Sequence, residues 1–266
     1  MREPLPSTQD LARRLGAHAH VSRVVTTRPL SSSLTEVELE GAAQSLTGQP
    51  GNDVMVLVDQ HGTRMVRRRY SVRSVDLAAD RYRLWITTGH EGAGSDWARR
   101  ATAGDEVDVV GPRGKVLVDP HAAWHLFVGD VSGLAAFYRM AESLTAPRQA
   151  LVVVEIEYDD DAIVTSLAEG VAVTGVFVDR RDRRRDDPQG LLLALAALTM
   201  PAGDGHAYVV GEFGVLHTVV DALRDRGLDD HAISAKSYWR ADRANADHGE
   251  PERDGRSLLQ DDHGGQ

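Results

Sequence analysis

The sequence predicts a β-barrel followed by an α/β domain, and three observations carry that expectation. The first part of the 266-residue chain breaks into short runs rich in Val, Leu, Tyr and Thr, separated by Gly, Asp and Pro clusters. That texture suits a small antiparallel barrel. The pattern changes near Asp119-Pro120. Beyond it, apolar strand-like runs alternate with helical periodicity, which implies a mostly parallel sheet with helices on its faces. The expected division is a barrel over 1–118, an α/β domain over 119–240 and a polar, partly disordered tail over 241–266.

The elements follow in order. Barrel strands are expected at 21–25, 34–39, 54–58, 69–75, 82–87 and 106–110. One helical insert, 95–101, begins at Ser95, which could cap it. The second domain opens with a mostly apolar strand at 124–129. A helix over 132–144 follows, with Leu134, Phe137, Tyr138, Ala141 and Leu144 on its apolar face. Strands are expected at 151–157 and 171–178. The run 191–198 reads as a buried helix stopped by Pro201. A strand at 207–211 leads into a helix at 215–226 that Gly227 ends, and a last strand covers 232–239. In such a sheet, ligands sit at the C-terminal ends of the strands.

Composition bounds the function. A hydrophobic fraction of 42% and a charged fraction of 26% are ordinary for a globular chain. The absence of cysteine excludes disulfides, thiolate-held zinc or iron–sulfur clusters, and thiol nucleophiles. A net charge of −10 argues against a nucleic-acid surface. No apolar run reaches signal-peptide or membrane-spanning length, so a cytoplasmic protein with no membrane partner is expected. The eleven histidines show no H-x-x-x-H or H-E-x-x-H pattern on a helix, no G-x-S-x-G elbow is present, and no Ser–His–Asp order stands out. No metal site and no acid–base catalytic residue are expected.

The most informative stretch is Arg68-Arg69-Tyr70-Ser71-Val72-Arg73. A guanidinium suits a pyrophosphate, a phenol ring suits a planar ring system, and a hydroxyl suits a ring nitrogen. A flat anionic cofactor such as flavin fits that set. Alternate residues of a strand face opposite ways. Arg68, Tyr70 and Arg73 could therefore serve one ligand only through a bend or bulge near Ser71. The stretch also reads as an exposed arginine-rich strand, and the hexapeptide alone does not choose.

Segments at four places in order, the fourth made of two strings, resemble the siderophore-interacting proteins, or ferric-siderophore reductases, to about Arg240. Arg68 to Arg73 is similar to the family's R-T-Y-[ST]-x-R. Thr88-Gly89-His90-Glu91-Gly92-Ala93-Gly94-Ser95-Asp96-Trp97-Ala98 aligns with H-G-x-x-G-P-A-S-x-W-A. Gly129-Asp130-Val131-Ser132-Gly133-Leu134-Ala135-Ala136 resembles G-D-E-T-A-L-P-A. Val210-Gly211-Glu212 resembles A-G-E, and Tyr238-Trp239-Arg240 resembles Y-W-R. The resemblance implies a ferredoxin-reductase-like plan, with an antiparallel FAD-binding barrel and a parallel-sheet, NAD(P)-binding-like domain. It implies FAD as cofactor, NAD(P)H as a further one, and a ferric siderophore as substrate.

Carried onto this chain, the resemblance assigns Arg68 to the flavin phosphate, Tyr70 to the isoalloxazine and Ser71 to its ring nitrogens. Arg73, Gly92, Gly94 and Ser95 complete the cofactor set, the last two opening a helix whose amides would meet a pyrophosphate. Trp97 reads either as packing or as a flavin contact. Ser132 reads as a helix cap or a ligand, and Glu212 as a sheet-edge hydrogen bond or a site residue. For substrate, Arg180 in the run Arg180-Arg181-Asp182-Arg183-Arg184-Arg185 could meet an anionic chelate or a 2′-phosphate, although such runs are usually solvated loops. Lys236 and Arg240 could serve the same ligand or simply end a charged strand.

The departures cluster around the redox face. Leu84 replaces the family's Asp, Thr88 its His, Ala93 its Pro, Val131-Ser132 its E-T, Ala135 its next Pro and Asp242 its last Gly. The leading expectation is an oxidoreductase passing electrons from reduced flavin to chelated Fe(III). The alternative is an FAD-binding enzyme recruited to natural-product biosynthesis, oxidising an organic intermediate or guiding its cyclisation around a non-redox flavin.

Overall fold

A computed structural model describes residues 2–46, 48–62, 64–114, 116–145, 148–163, 171–180 and 182–241. The chain divides into two compact units, with the boundary at 115/116. Arg181, Asp242 and the expected tail beyond 241 lie outside the described residues.

The first unit is a closed six-stranded antiparallel barrel. Its strands are β1 (His18–Pro29), β2 (Leu34–Glu40), β3 (Asp53–His61), β4 (Arg64–Asp76), β5 (Arg81–Thr87) and β6 (Glu106–Arg113), in spatial order β1-β2-β5-β4-β3-β6. Closure leaves no unpaired edge. Alternation fills the interior with Val37, Leu39, Val54, Val56, Leu84, Ile86 and Val109, all fully buried. Tyr82 is buried among them, and its hydroxyl donates to Ser22 Oγ at 2.8 Å.

Two helices join the barrel. The first, α1 (Pro6–Leu15), was not among the expected elements. Its signals are nonetheless present: Pro6 in the first turn and Gly16 as a left-handed cap at φ 61°. Leu11 and Ala12 bury its apolar side against Met55 and Val110. The second, α2 (Ala93–Arg100), starts two residues before the expected insert. Ser95 is not its cap. Gly92 stands at the N-cap with φ 142°, and Ser95 Oγ instead donates to the Thr87 carbonyl at 2.9 Å.

The second unit is a five-stranded parallel sheet in the order β11-β10-β7-β8-β9. Its strands are β7 (Trp124–Asp130), β8 (Arg148–Ile156), β9 (Val171–Asp179), β10 (Gly205–Glu212) and β11 (Ile233–Trp239). The central β7 is buried at every position, as a strand covered on both faces must be. Helices α3 (Leu134–Glu142), α4 (Gln189–Ala197) and α5 (Phe213–Asp225) make the connections. One expectation needs correction. Although α4 is apolar all round, only Gly190, Leu191 and Leu195 are buried, and Leu193 is 65% exposed. The helix lies on the sheet by one stripe, so the apolar run marks composition and not full burial.

Candidate functional site

In the barrel the site grows from β4. Its register sets Tyr70 beside Val54 and Arg68 beside Val56, so these two side chains share the face that carries the barrel interior. Arg69 and Ser71 take the opposite face, where Arg69 pairs with the buried Asp53 at 3.1 Å. The expected bulge exists. The β4–β5 register breaks between Val72 and Ser74, making Arg73 the irregular residue. It does not bring Arg73 to Tyr70, however. The Arg73 guanidinium lies over the Trp85 ring at 5.0 Å. Arg68 and Tyr70 thus come together, while the side chains of Ser71 and Arg73 do not join them.

The first turn of α2 closes on that pair. A Cβ placed on Gly94 would stand 2.3 Å from Tyr70 Oη and 3.3 Å from Arg68 Cγ, so only glycine lets the helix come this near. Trp97, one turn on, is 7% exposed and belongs to the barrel core, with its ring stacked on Tyr70 at 6.3 Å between centroids. Tyr70 Oη is buried and has no hydrogen-bond partner among the described residues. Burial pushes the phenol well above its ordinary value, against the pull of Arg68, so it stays protonated. An orphaned O–H donor beside a guanidinium, close to a helix start, fits a phosphate-bearing planar ligand. His90 lies alongside, with Nδ1 3.2 Å from Ser95 Oγ and Nε2 3.1 Å from Thr87 Oγ1.

In the second unit the motif residues converge at the C-terminal ends of the strands. Asp130 organises them, a residue the sequence reading quoted within a motif but did not single out. Its Oδ1 accepts from the Ser132 amide at 2.8 Å, and its Oδ2 accepts from Trp239 Nε1 at 2.8 Å. Gly211, at φ 143°, passes so near that a Cβ there would stand 2.7 Å from Asp130 Oδ2. The signal was available in principle, since Asp130 and Trp239 end parallel strands, but spacing in sequence does not reveal a contact across 109 residues.

The remaining candidates resolve individually. Asp130, not Ser132, supplies the capping oxygen, and Ser132 Oγ is buried without a partner among the described residues. Glu212 is 4% exposed and caps α5 by accepting from the Val215 amide at 2.9 Å. Its other oxygen accepts from the Ala241 amide at 3.1 Å, tying down the chain after Trp239. Lys236 Nζ lies 5.5 Å from the Tyr238 ring, and Arg240 stacks on Phe213 at 3.8 Å. Three arginines of the run are committed to carboxylates of β8 and the residue that follows it, whereas the exposed Arg184 pairs with Asp186 at 2.8 Å. Arg180 is buried and pairs with Glu155 at 2.9 Å and Glu157 at 3.5 Å. Arg183 and Arg185 pair with the same two glutamates at 3.3 and 2.9 Å. The Arg180 charge is spent inside the fold, so Arg180 is not presented to a ligand, and the ligand role the sequence offered for it is corrected.

Comparison with known proteins bears on both units. Residues 37–116 match the family model described as a siderophore-interacting FAD-binding domain, and residues 122–242 match that described as siderophore-interacting protein. The Mycobacterium tuberculosis protein Rv2895c is 31% identical over 185 residues, covering 66% of this chain and 65% of that one. The Escherichia coli NADPH-dependent ferric-chelate reductase is 29% identical over 153 residues, covering 56% and 57%. The matched region therefore spans somewhat under two thirds of these relatives. A siderophore utilization protein from T. fusca superposes with a TM-score of 0.73 at 23% identity, covering 88% of this chain and 97% of that one. The barrel and parallel sheet follow the ferredoxin-reductase-like plan. Among the described residues, no helix is long and apolar enough to cross a membrane.

Proposed function

We propose, for a chain that belongs to the siderophore-interacting protein family, the reduction of Fe(III) held in a small-molecule chelate. The observation that carries this reading is the Arg68–Tyr70 pair under the first turn of α2, inside the segment that matches the family's FAD-binding domain. Arg68 would neutralise the FAD diphosphate, and the amides at the start of α2 would hold the same anion. Tyr70 would offer its hydroxyl as a donor, and Trp97 would fix the Tyr70 ring from behind. Bound FAD supplies the electron transfer, with NAD(P)H as the source of electrons. No side chain need act as acid or base. Lys236, within β11, and Arg240, just after it, would attract an anionic chelate, and Asp130 and Glu212 would hold the strand ends in place.

The test is spectral. Purified protein should show the absorption of oxidised flavin. After anaerobic reduction, a ferric chelate should restore that absorption. Bound flavin that a ferric chelate does not reoxidise overturns this reading. That outcome favours the second one, an organic natural-product intermediate as substrate. The second reading is supported by the replacements at Thr88, Ala93, Val131, Ser132 and Ala135, which fall on the motifs flanking the cofactor.

A further inference from the structure

The opposite end of the parallel sheet holds a constellation that the flavin chemistry does not use. His206, second in β10, places Nε2 2.9 Å from Ser234 Oγ and Nδ1 3.5 Å from Asp119 Oδ2. Ser234 is second in β11, and its register partner on β10 is Tyr208. His206 and Ser234 therefore project from the same face of neighbouring strands. Asp119 comes from the segment before β7, held by its own amide donating to Tyr208 Oη at 2.8 Å. The Tyr208 ring packs against His206 at 4.7 Å between centroids. Glu212, at the other end of β10, is six residues further on, or about 20 Å along the strand.

The protonation states are coherent. A ring nitrogen facing a carboxylate carries the proton, so Nδ1 donates toward Asp119 and Nε2 is left to accept from the serine. Asp119 is held below the ordinary carboxylate value, chiefly by the His121 amide, and so is ionised at neutral pH. Burial holds His206 below the ordinary imidazole value, so it is neutral and able to take a proton. The 3.5 Å spacing to Asp119 is longer than a formed hydrogen bond, as is common before substrate binds. Ser234 is partly exposed. It lies on an edge strand, whose alternate outward amides can donate to a developing oxyanion.

We propose that Asp119, His206 and Ser234 form a nucleophilic serine site that reacts with uncharged carboxylic esters. Ser234 Oγ attacks the ester carbonyl carbon. The Oγ–C bond forms and the ester C–O bond breaks. The serine proton passes to His206 Nε2 and then to the departing alcohol oxygen. Water, deprotonated by the same nitrogen, then releases the carboxylic acid and restores the serine. The ionised Asp119 stabilises the imidazolium and disfavours anionic substrates.

The test uses the full chain with its flavin bound and a fluorophosphonate probe, with adducts mapped by peptide mass. The expected result is an adduct on Ser234, none in Ser234→Ala, and labelling slowed by roughly 100-fold or more in His206→Gln. Hydrolysis of p-nitrophenyl acetate should fall in parallel. Absence of an adduct on Ser234 in the wild-type protein under saturating probe overturns the proposal, whether or not either variant folds. An equal labelling rate in a folded His206→Gln protein also overturns it.

Discussion

At the scale of single residues, the candidate site depends on close approach. Gly94 is a glycine because Tyr70 Oη occupies the space a Cβ would need, 2.3 Å away. Gly94→Ala is expected to destabilise the protein by about 1–3 kcal/mol, as overpacking does. Adding Tyr70→Phe should recover part of that loss by removing the obstructing oxygen. Paired melting temperatures check this, and an unchanged melting temperature in Gly94→Ala would contradict the packing. Arg68 makes a different prediction. If its guanidinium meets the FAD diphosphate, Arg68→Ala removes a charge-assisted contact worth about 1.5–3 kcal/mol. FAD affinity measured by fluorescence titration should then fall by about 10- to 100-fold, while the melting temperature of the flavin-free protein moves little. The motif made Arg68 and Tyr70 legible as a pair. Arg180 was misread because its partners, Glu155 within β8 and Glu157 just after it, come from another strand, and charge alone does not say whether a guanidinium is already paired.

At the scale of elements, periodicity located most strands and helices, and the errors have physical causes. The apolar run of α4 invited a fully buried reading, yet a helix on one side of a sheet buries only a stripe. Leu195→Ala should therefore cost about 2–5 kcal/mol, whereas Leu193→Ser should stay within about 0.5 kcal/mol. Urea denaturation of the two variants distinguishes the buried side from the exposed one. Helix α1 was missed because its capping signals flank a polar decapeptide whose few apolar residues find partners only once the barrel exists. Ser95 looked like a cap by residue type, but Gly92 already turns the chain at φ 142° and Ser95 is free to bond Thr87. Glu212 closes α5 and holds the chain after β11. Its replacement by Ala is expected to cost about 1–2 kcal/mol, read as a lowered melting temperature.

At the scale of the whole molecule, acid should weaken the fold in two stages. Burial lowers His206 and His20 from the ordinary value of 6.5, partly offset by Asp119 at His206 and by the Gly111 carbonyl at His20. The folded protein then binds fewer protons than the unfolded chain, so the stability these groups allow is complete above pH 6.5 and is lost as pH falls below that value through their lower folded-state values. Asp119, lowered from 3.8, contributes stability above that value that disappears on further acidification. His206→Gln should flatten the first stage in a series of melting temperatures between pH 7 and pH 5, an interval of about two units around the imidazole range. An unflattened profile would assign that stage to other groups. The sequence by itself determined the order of a barrel and a parallel sheet, the family, and the strand that offers Arg68 and Tyr70. Those are written in local periodicity and in motifs a few residues long. Only the tertiary structure decided which charges are spent internally, that Asp130 joins Trp239, and that Asp119, His206 and Ser234 meet. Such contacts are set by strand order and register, which bring together residues scores of positions apart, and no local pattern encodes that distance.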